Sequence, residues 1–220
     1  MKINTDIPQY LSAVRPLAKH GIHLNVIRGA GSPYKLAHIN RPDVVISHSA
    51  HLINMEFPHI KFAGPKCKFP NYDYSPEQGF DSELCDLIDP FRINSKSVFI
   101  NKEGPKNKMF IKKMESLGLA PKVVGDGFGI AQINLRHLSE SAGLYKSAQF
   151  CGATLAEEIY KILYLGKPCL TPWDFPHCNN IMKSTKVDMS SEQSAFAKQF
   201  DWLNIFAKLF DLIDEEIPWK

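Results

Sequence analysis

Residues Gly152-Ala153-Thr154-Leu155-Ala156-Glu157-Glu158 carry the most specific chemical pattern in the chain. Small residues entering a helix leave backbone N–H groups unpaired at its start, and those groups together with the helix dipole hold a phosphate without a basic side chain. A carboxylate one turn further in, Glu157 or Glu158, is placed to accept hydrogen bonds from the two hydroxyls of a ribose attached to that phosphate. The same residues also fit a plain structural role. Thr154 followed three residues later by Glu157 is a capping box, which stabilises a helix start in any protein.

Cations for a diphosphate are at hand in Lys102, Lys106 and Lys108, which follow an apolar run ending at Ile100, with Lys102 the first choice. Ligands of open parallel sheets bind outside the carboxyl ends of the strands. Gly125-Asp126-Gly127-Phe128-Gly129 falls short of a dinucleotide fingerprint, because Ile130 stands where the third glycine is needed; it is a tight turn or a base-contacting loop. His48 and His51 follow the run Asp43 to Ser47, and imidazole titrates in the range suited to taking a proton from an acceptor hydroxyl. Asp6 is the alternative base, or a helix cap. The pair of histidines lacks a third ligand for a metal. The loop from Asn71 to Glu77 offers tyrosines for stacking an acceptor, or it covers a sheet edge. Neither a GxSxG elbow nor a Walker A loop is present, which removes support for serine hydrolase and P-loop chemistry.

Alternating elements must position these residues. Pro8 to His20 has helical apolar spacing with Gly21 as a stop, Ile22 to Ile27 reads as a strand, Tyr34 to Ile39 as a short helix, and Asp43 to Ser47 as a strand buried on both faces. No clear opening strand is expected beyond Lys2-Ile3-Asn4. From Ile60 to Arg92 prolines interrupt regular structure. Patterning resumes with a strand at Lys96 to Ile100, a helix at Lys106 to Leu117 stopped by Gly118, a strand at Pro121 to Val124, and a helix from Leu138 to Ser147. Thr154 to Leu165 reads as a helix stopped by Gly166, and Cys169 to Pro172 as a strand end. An amphipathic helix over Ser194 to Ile213 packs through Phe196, Phe200, Leu203, Phe206, Leu209, Phe210 and Ile213. The expectation is an α/β protein of two Rossmann-like parallel-sheet units facing a cleft, residues 1–94 and 95–220, with the amphipathic helix in the second.

The composition fits: 220 residues, 44% hydrophobic and 22% charged, exclude a disordered or collagen-like chain. No apolar stretch reaches the roughly 18 residues of a membrane span, and the first residues lack the layout of a secretory signal, so a cytoplasmic location is expected. Five cysteines without a CxxC pair read as reduced thiols. The net charge is +3, unevenly spread. Residues 1–70 hold nine Lys/Arg against three Asp/Glu, and residues 96–122 seven lysines against two glutamates, which suits a phosphate-bearing ligand or a solvated basic face.

The passage from Gly152 to Glu158, continued by Gly166-Lys167-Pro168 and Cys169 to Pro172, resembles the donor-binding half of GT-B nucleotide-sugar glycosyltransferases. The resemblance spans about residues 95–185. It implies that Gly152, Ala153, Thr154 and one of Glu157 and Glu158 hold the nucleotide, that Lys102 and Lys106 neutralise the diphosphate, and that Gly127 and Phe128 lie beside the base. Asp174 and His177, in Trp173 to Asn180, would touch the donor sugar. The implied co-substrate is a nucleoside-diphosphate sugar, UDP-sugar foremost, with no metal and no further cofactor. The acceptor stays open among a saccharide, a lipid-linked sugar, a small metabolite and a modified DNA base. A nucleotide-sugar epimerase and a non-catalytic nucleotide or nucleic-acid binding module share the same signals.

Overall fold

In the computed structural model the described residues are 1–49, 53, 55–66, 71–93, 97–100, 105–119, 121–124, 140–183 and 193–219. They form two compact units, one of residues 1–81 with 200–220 and the other of residues 82–199.

Unit 1 is built on strands β1 (Lys2–Thr5), β2 (His23–Val26), β3 (Val44–Ile46), β4 (Lys61–Gly64) and β5 (Tyr72–Asp73), all parallel in the order β2-β1-β3-β4-β5. The short opening segment is thus a full strand, next to the sheet's edge strand. The passage read as irregular supplies β4 and β5. Its strands are too short to show a period: Lys61-Phe62-Ala63-Gly64 has one large apolar residue. A 3-10 turn (Pro8–Ala13) and α1 (Val14–Ala18) lead to Gly21, whose positive φ of 73° closes the helix as expected. One face of the sheet packs on α2 (Pro33–His38), with Leu36, Val45 and Phe62 in that core.

Unit 2 contains α3 (Ser82–Leu87), β6 (Ser97–Ile100), α4 (Pro105–Ser116), β7 (Lys122–Val124), α5 (Ser141–Ser147), β8 (Phe150–Ala153), α6 (Ala156–Tyr164), β9 (Cys169–Thr171), β10 (Asn179–Asn180) and α7 (Gln193–Lys198). Its parallel sheet runs β10-β9-β8-β6-β7. Numbered within its own unit this is again the order 2-1-3-4-5. The expectation of two Rossmann-like parallel-sheet units therefore holds. In each, the direction of chain progression reverses between the first and third strands, the place where such sheets bind ligands.

The expected long C-terminal helix is corrected in two ways. It is two helices, α7 and α8 (Trp202–Leu212), because Asp201 turns extended and caps α8 by accepting a hydrogen bond from Leu203 N at 2.9 Å. And α8 belongs to unit 1, not to the second unit as a boundary at residue 94 placed it. Trp202, Ile205, Phe206, Leu209, Phe210 and Ile213 fill one core with Ile3, Ile7, Tyr10 and Leu17. Tyr10 meets the Trp202 ring edge-on at 5.2 Å. A helical stripe of this kind specifies that a face is buried, but not which sheet buries it.

Candidate functional site

In unit 2 the functional candidates lie where strands end. β8 sits at the centre of its sheet, with Cys151 and Gly152 opposite Cys169 and Leu170 on one side and residues 97–100 on the other. Gly152 and Ala153, expected in a turn, are consequently buried strand residues, and their backbone is committed to the sheet. The small side chains fit a strand flanked on both sides. The loop into the helix consists of Thr154 and Leu155, two residues later than the expected turn.

The capping box does not form. Leu155, in an extended conformation, occupies the N-cap, and no side chain caps α6. The Thr154 hydroxyl oxygen is buried and has no hydrogen-bond partner among the described residues. Such a group costs about 1–3 kcal/mol when left unpaired, so its presence needs a reason. It lies immediately beyond the carboxyl end of β8, at the start of a helix whose first N–H groups have no intrahelical acceptor.

The two glutamates that follow have different fates. Glu158 is 1% exposed. Its Oε2 accepts from the Tyr145 hydroxyl at 2.8 Å and its Oε1 from Lys161 Nζ at 2.7 Å. Burial and the Glu158 carboxylate push the Tyr145 hydroxyl well above the usual phenol range. For Lys161, burial lowers the ammonium pKa but the attraction of Glu158 and Glu157 outweighs it and raises the net value. Glu158 is thereby locked inside, with both carboxylate oxygens engaged by protein groups. Glu157 remains 34% exposed and pairs with Lys161 at 3.0 Å. The i, i+3 and i, i+4 spacing of Lys161 from these glutamates is legible in the sequence and was the overlooked signal for this network.

Gly166 has φ 66° and ends α6 with bonds from Gly166 N to Leu163 O and from Lys167 N to Ile162 O, a Schellman arrangement. Lys167, within the Gly-Lys-Pro step, donates to Lys146 O and Ala148 O and so caps α5. Beyond β9, Asp174 is exposed, but both of its carboxylate oxygens are engaged, one by Asn180 at 2.9 Å and the other by Lys183. Those hydrogen bonds hold its carboxyl below the usual range. His177 is exposed, in a left-handed conformation with φ 58°, its ring 4.6 Å from that of Phe196. Thr154, Glu157, Asp174 and His177 all follow the carboxyl ends of neighbouring strands β8 and β9. Lys102, Gly127 and Phe128, which follow β6 and β7 in the chain, lie outside the described residues, and Lys106 is described only as part of the α4 backbone.

Unit 1 presents a second set at its own reversal point. Asp6 follows β1 and Ser47 follows β3; Ser47 Oγ donates to Asp6 Oδ2 at 3.1 Å. Asp6 Oδ1 is buried and has no hydrogen-bond partner among the described residues. Asp6 does not cap a helix: the N-cap of the following 3-10 turn is Ile7, with no side-chain cap. His48 is exposed, and His51 lies outside the described residues. Ser47 was not foreseen as a site residue; its signal is a lone polar residue closing the apolar run Val44 to Ile46. Tyr74, in the loop considered for acceptor stacking, is instead buried, 2.8 Å from the Tyr10 hydroxyl.

No group of three His, Cys, Asp or Glu among the described residues is arranged to hold a metal ion, and no helix among them is long and apolar enough to cross a membrane.

No protein-family model matches the chain, and no curated protein matches its sequence. Solved structures that it is similar to include the UDP-GlcNAc 2-epimerase from Methanocaldococcus jannaschii, at 10% identity and TM-score 0.42, covering 99% of this chain and 95% of that one. The UDP-GlcNAc 2-epimerase from Neisseria meningitidis, bound to UDP-GlcNAc, aligns at 11% identity and TM-score 0.40 over 100% and 96% of the two chains. The iron-containing dodecameric glycosyltransferase TibC from enterotoxigenic E. coli aligns at 12% identity and TM-score 0.34 over 96% and 75%.

Proposed function

We propose that the chain is a nucleotide-sugar enzyme, a glycosyltransferase of the GT-B kind, whose donor nucleotide binds at the carboxyl ends of β8 and β9 in unit 2. The observation that carries this reading is the unpaired, buried Thr154 hydroxyl at the start of α6. A hydroxyl beside helix N–H groups that lack an intrahelical acceptor completes a cradle for a phosphate oxygen, and its desolvation is offset when the anion arrives. Glu157 is the ribose acceptor, since Glu158 is enclosed. Lys102 and Lys106 neutralise the leaving diphosphate as the glycosidic bond breaks. In unit 1 the base assigned to the acceptor hydroxyl is Asp6, oriented by Ser47 through one oxygen and leaving the other for a proton.

The test is a thermal-shift panel of UDP, GDP, ADP, CMP and dTDP sugars on the parent and on Thr154→Val. A bound nucleotide raises the melting temperature by mass action. Because the hydroxyl pairs with nothing among the described residues, the valine variant is expected to melt at or slightly above the parent temperature without ligand. It is expected to lose most of the nucleotide-induced shift. A panel with no response, or a response that Thr154→Val and Glu157→Ala leave intact, removes this reading. Product analysis with and without added acceptors then separates a transferase from an epimerase, which converts its donor alone.

A further inference from the structure

On the face of the unit 1 sheet that packs on α2, the strand register places Lys2, Asn4, His23, Asn25, Val45 and Phe62 on one side. Over β3 and β4 this face is apolar and buried, as expected of parallel strands. Over β1 and β2 it turns wholly polar, although the opposite side of the same strands, Ile3 and Leu24, is core. Part of this polarity is structural. Buried Asn4 donates to Leu36 O at 2.8 Å and Ile39 O at 2.7 Å, tying down the end of α2, and accepts from Asn25 Nδ2 at 2.9 Å. Lys2 and His23, paired in register, have no such duty.

Across from them the chain leaving α2 passes through Asn40 and Arg41, two consecutive non-glycine residues in the left-handed region, with φ 57° and 47°. Pro42 follows, and a residue before proline already has a restricted backbone. Backbone strain of this kind persists where the surroundings enforce it, and it gathers at ligand sites. Lys2, His23, Asn25, Asn40 and Arg41 line a cavity of about 510 Å³, within the roughly 300–1,000 Å³ of small-molecule sites. The lining is polar and basic, where most such sites are apolar. One carboxylate is close, that of Asp43, which accepts from Lys2 N at 2.7 Å.

We infer that this cavity is a binding site for a small phosphorylated molecule, held by Lys2, His23 and Arg41 with the amides of Asn25 and Asn40. It involves residues around the amino ends of β1 and β2 and the turn before β3, whereas Asp6 and Ser47 follow the carboxyl ends of β1 and β3. The site is independent of the nucleotide reading of unit 2. It uses two of the nine Lys/Arg of the first 70 residues, Lys2 and Arg41.

The experiment is a titration with pyrophosphate at constant ionic strength, followed by NMR of the side-chain amides of Asn25 and Asn40 and the backbone amide of Arg41. Saturable shifts at those positions are expected. Lys2→Ala is expected to weaken binding about tenfold, the scale of losing one charge-assisted contact. Arg41→Gly relieves the left-handed strain while removing the cation, so it is expected to raise the melting temperature and still weaken binding. Shifts absent from these amides, equal shifts with sodium chloride, or pyrophosphate affinity unchanged in both variants overturn the proposal. A short oligonucleotide that binds here where pyrophosphate does not overturns it as well. The readout is local to unit 1, so its failure is distinct from failure of the nucleotide panel.

Discussion

Units 1 and 2 share one strand order and fill it differently. Unit 1 closes its sheet with an aromatic core drawn from the far end of the chain, Trp202, Phe206 and Phe210 against Tyr10. Unit 2 keeps a buried ionic cluster, Tyr145, Glu158 and Lys161, beside the strand that ends at Ala153. The topology therefore sets where strand ends and helix starts fall, while side chains decide whether the interior is held by burial or by pairing. The difference bears on the proposed function, because the ionic cluster engages both oxygens of Glu158, whereas Glu157 stays 34% exposed.

The largest effect expected from breaking this contrast is Glu158→Ala. Removing Glu158 leaves the buried Tyr145 hydroxyl without its acceptor and takes the closer of two carboxylates from Lys161, which keeps Glu157 at 3.0 Å, a loss of about 3 kcal/mol. Chemical denaturation followed by hydrogen exchange is expected to show β8 and β9 amides exposed first. A paired replacement, Glu158→Leu with Lys161→Met, is expected to recover part of the loss, since an apolar pair of similar volume needs no compensation. If Glu158→Ala unfolds nothing and instead lowers nucleotide affinity, the division of labour between the two glutamates is reversed.

Alkali distinguishes the units next. Burial pushes the Cys151 thiol of unit 2 up to about 12 from 9.0, and the Tyr74 hydroxyl of unit 1 up to about 12 from 10.0. Both groups are raised in the folded state, so each contributes stability that is complete below its unfolded value and is lost as pH rises towards the folded one. The loss is about 1.4 kcal/mol per pH unit for each group. Decline is expected to begin near pH 9 in unit 2 and near pH 10 in unit 1. Exchange rates of β8 and β1 amides measured between pH 8 and 11 check the order.

Gly79 tests how tightly α8 is seated. A methyl group there would lie 2.6 Å from Ile205 Cδ1, 2.8 Å from the Phe200 carbonyl and 2.9 Å from Trp202 Cδ2. Gly79→Ala is expected to cost about 1–3 kcal/mol and to alter the fluorescence of buried Trp202. A neutral effect would show that the helix is free to shift.

Which of these features the sequence could disclose follows from how local each one is. Gly21, Gly118 and Gly166 were legible as helix stops because a left-handed residue is a local demand that glycine meets. Val44 to Ile46 was legible because strands buried on both faces concentrate apolar residues. β8 was misread because Cys151-Gly152-Ala153 is made small by its two strand neighbours, and small residues also make turns. The break between α7 and α8 was hidden since the apolar spacing continues in phase across it, although Asp201 is a good cap. At the candidate site, Thr154 and Glu157 were singled out by type and spacing. Ser47 beside Asp6 was not, since 41 residues separate the pair and only the parallel register joins them.

The smallest expected effect concerns the same helix-end chemistry. α8 closes with bonds from Asp214 N to Asp211 O and from Glu215 N to Phe210 O, the pattern found where α6 ends at Gly166, but the left-handed residue is Asp214 with φ 54°. A side chain there crowds the backbone, moderately for Asp, which tolerates the region better than most residues. Asp214→Gly is expected to stabilise unit 1 by about 0.5–1 kcal/mol, the relief being partly offset by the greater freedom of glycine in the unfolded chain. The contacts that hold this turn in place survive the change, since Lys61 Nζ donates to Ile213 O at 2.6 Å and pairs with Glu215 at 2.6 Å. A rise in denaturation midpoint seen through Trp202, with β8 and β9 exchange unaltered, would place α8 energetically as well as spatially in unit 1. Equal gains in both sets of strands would instead mean that the units unfold as one.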